Sequence, residues 1–134
     1  MLGALALGLA VFMLAACSSE DLAPLSATVV STAQVDTIEV EETSDSPPEV
    51  YVVVRGYLPD GCTKIDQVYQ DVSNRVINVT ITTKRDPDVE CTLALKAYEE
   101  VVPLETYNLD DGMYTVIVND VSTSFELSTA GVLR

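Results

Sequence analysis

The chain has no histidine and no tryptophan, and it sets only seven lysines and arginines against twenty-one acids in 134 residues. Each shortage excludes something. Without histidine there is no imidazole for general acid–base work, for a nucleophile–histidine pair or for a histidine-ligated zinc. No glycine-rich phosphate loop and no Walker-type lysine is present either. With a net charge of −14 the chain lacks the basic footprint of a nucleic-acid binder, so no nucleic-acid partner is expected. No segment carries a helical period of useful length, and no internal repeat is found. What is there begins with an apolar run, Leu2 to Ala16. At about fifteen residues it is short of the roughly twenty that a spanning helix needs and fits the hydrophobic region of a signal peptide.

That run ends in Leu14-Ala15-Ala16-Cys17, followed by Ser18-Ser19-Glu20-Asp21. The pattern resembles the lipobox of bacterial lipoproteins. The resemblance implies a diacylglycerol on the Cys17 thiol and cleavage that makes Cys17 the mature N-terminus. Residues 1–16 are then a lipoprotein signal peptide. The expected localisation is extracytoplasmic, at the bacterial cell surface or in the periplasm, with a membrane as the first partner through the lipid on Cys17. Two or three acyl chains suffice for stable anchoring, where one alone holds only marginally. Met1-Leu2-Gly3 carries none of the basic residues usual before such a run, so a start further upstream is expected.

Charge divides the remainder. Ser18 to Glu49 holds eight acids and no base, whereas Val50 to Arg134 holds thirteen acids and seven bases. The first stretch is rich in Ser, Thr, Ala and Glu, has no aromatic residue and closes on Ser46-Pro47-Pro48. Residues 17–48 are therefore expected to be a disordered acidic linker, too poor in apolar surface to offset its ordering entropy.

Residues 49–134 read as one small all-β domain. Val50, Val52, Val54 and Leu58 alternate with Tyr51, Arg55 and Tyr57; Ile77, Val79 and Ile81 alternate with Asn78 and Thr80. Cys91, Leu93, Leu95 and Ala97 form another such set, as do Tyr114, Val116 and Val118, and Val121, Thr123, Phe125 and Leu127. Period two with β-branched enrichment predicts half-buried strands. Asn119-Asp120 supplies a hairpin turn, Pro103 marks an edge strand, and Asp66 to Val72 is left open between strand and short helix. Six or seven short strands with polar turns predict a sandwich. Within it, Leu109-Asp110-Asp111-Gly112-Met113-Tyr114-Thr115-Val116 resembles the Asp-x-Gly-x-Tyr-x-Cys pattern of the immunoglobulin superfamily, with Val116 at the cysteine place. The resemblance implies an Ig-like or fibronectin-III-like antiparallel β-sandwich of about seven strands. It also implies a tyrosine corner at Tyr114, with Asp110 and Gly112 shaping the turn before it.

With Cys17 assigned to lipid, Cys62 and Cys91 remain, and in an oxidising compartment they are expected to form one disulfide. That bridge would bring the turn at Asp60 and the segment before Cys91 to one end of the domain. Asp60, Lys64, Arg85, Asp86, Asp88 and Glu90 are the candidate binding-loop residues there. The four acids among them would offer oxygen ligands to Ca²⁺, but the alternating register of a calcium loop is missing, so no metal site and no cofactor is expected. The expectation is a monomeric, non-enzymatic lipoprotein whose domain binds a protein or glycan. The alternative is an Ig-like protease inhibitor at the cell surface.

Overall fold

The structure, a computed structural model, describes residues 28–45, 47–87 and 89–128, together with Gly3 and Gly8 singly. Apart from those two glycines, the expected signal peptide lies outside the described residues, as do Cys17 and Asp88. Among those described there are eight strands and no helix: β1 Val29–Thr32, β2 Gln34–Glu42, β3 Val50–Leu58, β4 Lys64–Ser73, β5 Val76–Arg85, β6 Lys96–Pro103, β7 Gly112–Val118 and β8 Val121–Leu127. They form two sheets, one of five strands (β4, β5, β1, β7, β8) and one of three in the order β2-β3-β6. The architecture is a β-sandwich.

The alternating apolar sets make the core. Val50, Val52 and Val54 of β3 face Ile77, Val79 and Ile81 of β5 and Val116 and Val118 of β7, all at 0–1% exposure. Burying a side chain of this size contributes about 1.5–3 kcal/mol, so these rows dominate the stability of the fold. Tyr114, Phe125 and Leu127 close one end of the core, and Leu58 is buried near the other.

Two corrections concern pairing and extent. The antiparallel expectation fails at one pair: β5 and β7 run parallel, Val76 opposite Thr115 through Val79 opposite Val118. The chain reaches this arrangement because β6, in the other sheet, carries it back between the two strands. The second half of the same β5 edge pairs with β1, from Thr82 opposite Thr32 to Arg85 opposite Val29.

The expected linker 17–48 is corrected over residues 29–42, which form β1 and β2. Composition hid them because β2 is amphipathic with a broken period. Val35 is buried, the register shifts between Val35 and Thr37, and Ile38 and Val40 then pack on the core while Glu39 and Glu41 face outward. A bulge that inserts one residue moves the apolar set out of phase. The same device explains the ambiguity at Asp66 to Val72, which is the strand β4 with a register shift between Ile65 and Val68.

A third correction falls on the set Cys91, Leu93, Leu95 and Ala97. Residues 91–95 are not strand, and Leu93 and Leu95 are 87% and 70% exposed. β6 begins only at Lys96, and its core-facing members are Tyr98 and Val102, the opposite phase.

Candidate functional site

The disulfide-linked end is assembled from four segments. Cys62 and Cys91 are bridged, with Cα atoms 5.5 Å apart and a sequence separation of 29. Beside them Asp60 organises the turn from β3 to β4. Its Oδ1 accepts the Cys62 amide at 2.9 Å, the Thr63 amide at 2.8 Å and the Thr63 hydroxyl at 2.9 Å. This is the side-chain-to-backbone bonding by which aspartate shapes turns. Its Oδ2 faces Arg85 Nε at 3.1 Å, an ion pair not aligned as a hydrogen bond. Burial pushes the Asp60 carboxyl up, but the Thr63 hydroxyl, the two amides and Arg85 together outweigh it and leave it below the ordinary carboxylate value. Gly61 donates its amide to Thr92 O at 3.0 Å, and a Cβ there would lie 2.5 Å from Thr92 Oγ1.

The expected candidates are thus sorted by the fold. Asp60 and Arg85 meet each other, and Asp60 is buried. Lys64 lies opposite Lys84 in the β4–β5 ladder, and Lys84 reaches Asp66 at 3.6 Å. Asp86 and Glu90 are exposed. Among the described residues no three acidic or cysteine side chains gather as a metal site. Asp60 has Oδ1 committed to its own turn and Oδ2 set against Arg85. Above it a cavity of about 630 Å³ opens between the sheets, with Val29, Tyr57, Pro59, Thr63, Thr83 and Leu95 among its walls.

A second surface escaped the sequence reading. The outer face of the β2-β3-β6 sheet carries Tyr51, Val53, Arg55 and Tyr57 along its central strand. Arg55 is clamped from both neighbours: Nη1 donates to Glu39 on β2 at 3.1 Å and Nε to Glu99 on β6 at 2.9 Å. The two carboxylates bonded to it hold the guanidinium above its usual value. Tyr51 donates its hydroxyl to Glu41 at 2.9 Å, and that bond, with some burial, raises the phenol. Tyr57 and Val101 flank the clamp with about half their surface exposed. The signal was available in the alternation of β3, but the acids that hold Arg55 come from strands 16 and 44 residues away.

The residues of the expected tyrosine corner sit at the opposite end. The Tyr114 hydroxyl donates to Asp110 O at 2.7 Å, and the ring stacks on Phe125 with centroids 6.0 Å apart. Arg75, in the β4–β5 turn, lies 5.3 Å from the ring centroid. Gly112 has φ 142°, and a Cβ there would lie 2.4 Å from the Arg75 guanidinium.

Comparison with known proteins places this geometry in a family. A family model described as the ORF11 beta-sandwich domain matches residues 52–127. Three proteins of Herpetosiphon aurantiacus are similar. One, described as an uncharacterized 10.2 kDa protein in the HgiCIIM 5′ region, is 29% identical over 93 residues, which is 69% of this chain and 98% of that protein. Two others, described likewise for the HgiBIM and HgiEIM 5′ regions, are each 35% identical over 81 residues, 60% of this chain and 98% of theirs. No solved structure matches.

Proposed function

The chain belongs to the ORF11 beta-sandwich domain family, and from that premise we propose that it is an envelope lipoprotein whose sandwich is a contact module for a protein or glycan. The anchor is the lipid on Cys17, supported by Leu14-Ala15-Ala16-Cys17 at the end of the apolar run. The contact surface is the outer face of β2-β3-β6. The observation that carries this choice is Arg55, held by two carboxylates on the central strand of the three-stranded sheet with Tyr57 open beside it. Tyrosine and arginine dominate binding hot spots, and a side chain already held in place loses little freedom on docking. The finer assignment, an immunoglobulin-like module, rests on the Tyr114–Asp110 bond. Sandwich families share the architecture without always sharing topology, and the parallel β5–β7 pair is this chain's departure. A role in contact instead of turnover is supported by the absence of histidine from the whole sequence.

Two measurements test the proposal. Cells fed an alkyne palmitate analogue should tag the wild type and leave Cys17→Ser untagged; no tag on the wild type refutes the anchor. A photo-crosslinking residue at Tyr57 should give one discrete adduct that Arg55→Ala abolishes. The same residue at Met113, exposed on the other sheet, should give none. Equal crosslinking from both positions refutes the chosen face.

A further inference from the structure

We infer that the disulfide-linked end of the sandwich is the membrane-facing end, and that Leu93 and Leu95 seat in the interface of the bilayer to which Cys17 is tethered. The inference rests on the proposed anchor and adds an orientation and a second, non-covalent contact to it. Three observations carry it.

The first is where the chain enters. β1 begins at Val29, opposite Arg85 at the last residue of β5, so the polypeptide leaves the sandwich toward Cys17 from the disulfide-linked end. Only residues 18–28 lie between, eleven in all. Fully extended, a chain of that length spans about 40 Å, and a random coil averages about 20 Å. A ten-residue strand such as β5 is itself about 33 Å long. A leash whose full extension is only about the length of the body it holds keeps the attachment end nearer the surface than the far end.

The second is what that end exposes. Leu93 and Leu95, in the connection from β5 to β6, stand 87% and 70% exposed, with Val29 at 51% and Val89 at 49% around the same end. Apolar side chains held out of the core by a disulfide-braced loop are matched by the headgroup–acyl boundary, where interfacial anchors bury their apolar face.

The third is charge. Four of the seven bases, Lys64, Lys84, Arg85 and Lys96, lie at this end. Two of them are paired with Asp66 and Asp60, and Asp36, Asp86, Glu90 and Asp120 stand at the same end, so the bases moderate its negative charge without cancelling it. The far end holds Asp45, Glu49, Glu105, Asp110 and Asp111 against Arg75. An anionic leaflet repels the far end, with one base, more than the near end, with four.

The chain's lack of tryptophan makes the test clean. Single-tryptophan variants Leu93→Trp and Tyr107→Trp, the latter at the far end, would each start at Cys17 and be coupled through that thiol to a maleimide-headgroup lipid. The vesicles would contain phosphatidylethanolamine and phosphatidylglycerol with brominated acyl chains. The relatives consist almost wholly of the matched region, and the disulfide leaves Cys17 as the sole reactive thiol. Leu93→Trp should lose about half its emission and shift to the blue, as expected for a group seated about 5–10 Å into the boundary; Tyr107→Trp should change by less than about a tenth. Adding Leu95→Asp to Leu93→Trp should abolish the quenching while vesicle flotation stays complete. Absence of quenching at Leu93→Trp, or equal quenching at Tyr107→Trp, overturns the inference. So does a blue shift in lipid-free solution that grows with protein concentration, which assigns the face to a second copy. Chemical coupling makes the result independent of whether cells lipidate Cys17, so failure here and failure of the palmitate label are separate outcomes.

Discussion

Replacing Asn119 should damage the domain more than any other single polar substitution, because that side chain closes a gap in the hydrogen bonding of β5. Pairing of β5 with β7 stops at Val79 opposite Val118, and pairing with β1 starts at Thr82 opposite Thr32. Between them Ile81, fully buried, donates its amide to Asn119 Oδ1 at 2.9 Å. Asn119 Nδ2 donates to Ala33 O at 2.7 Å and to Ile81 O at 3.1 Å. The residue also sits at φ 51°. In Asn119→Ala the Ile81 amide loses its partner inside the sandwich, a cost of about 1–3 kcal/mol. An alanine at positive φ costs about 1 kcal/mol more. The sum is about 2–4 kcal/mol, a large share of the stability of a small domain. Asn119→Gly should recover only the backbone part, about 1 kcal/mol. Urea unfolding is the assay, with a slope of about 1–1.5 kcal/mol/M for a domain of this size, so the alanine midpoint should fall by about 2 M at an unchanged slope. A midpoint within about 0.3 M of wild type would refute the bridging argument. Equal midpoints for alanine and glycine would refute the backbone part alone.

Other perturbations give distinct signatures. Reducing Cys62–Cys91, or replacing both by alanine, releases a loop closed over 29 positions; the chain-entropy model gives a loss of about 3–4 kcal/mol, and a change below about 1 kcal/mol by urea titration would count against that model here. Gly56→Ala places a Cβ 2.0 Å from Gln34 O and 2.9 Å from the Tyr98 ring; because the obstacle is backbone, the cost should be at least about 3 kcal/mol, and a soluble variant with wild-type melting would disprove the close approach. Asp60 has a lowered pKa in the folded state, so its contribution is present above the unfolded value near 3.8 and is lost as pH falls through the folded value; the stability gap between wild type and Asp60→Asn should be widest above pH 4 and close on acidification, and a gap independent of pH would refute the pairing. Tyr98 is raised to about 12 by burial first, then by Asp36 and Glu100; its contribution is whole below pH 10 and declines as pH rises toward 12, so Tyr98→Phe should flatten the alkaline limb of the stability profile, and an unchanged limb would argue against it.

How far the fold can be read from sequence depends on whether a strand keeps its phase. β3, β5, β7 and β8 keep theirs, and their alternating residues are the core in the structure. β2 does not: the bulge after Val35 breaks a nine-residue strand into two short patterns, each too brief to stand out against acids on the other face. The segment before β6 fails in the opposite sense. Cys91, Leu93, Leu95 and Ala97 keep a perfect period of two, but the disulfide and the Gly61–Thr92 hydrogen bond hold that stretch as a loop against the β3–β4 turn. Tertiary restraint overrides local propensity there, as it commonly does in β structure. The two exposed leucines that result keep the pattern of a strand without being in one.

Candidate sites are harder to read than strands because they are made across strands. Asp60 and Arg85 lie 25 positions apart and meet only once β4 and β5 have formed their hairpin; once met, Asp60 is occupied by its own turn and is no longer available to a ligand. Arg55 shows the converse. Alone in sequence it is an ordinary outward residue of an alternating strand, and only the two flanking strands make it a fixed point. In a chain with twenty-one acids the carboxylates themselves carry little information, since most positions on any sheet face have one nearby. The seven bases are informative by contrast. Six of them are described, and those at the chain's point of entry separate from the one that holds the contact face. A search of an acidic sandwich for function therefore begins with where its few cations are held and by what.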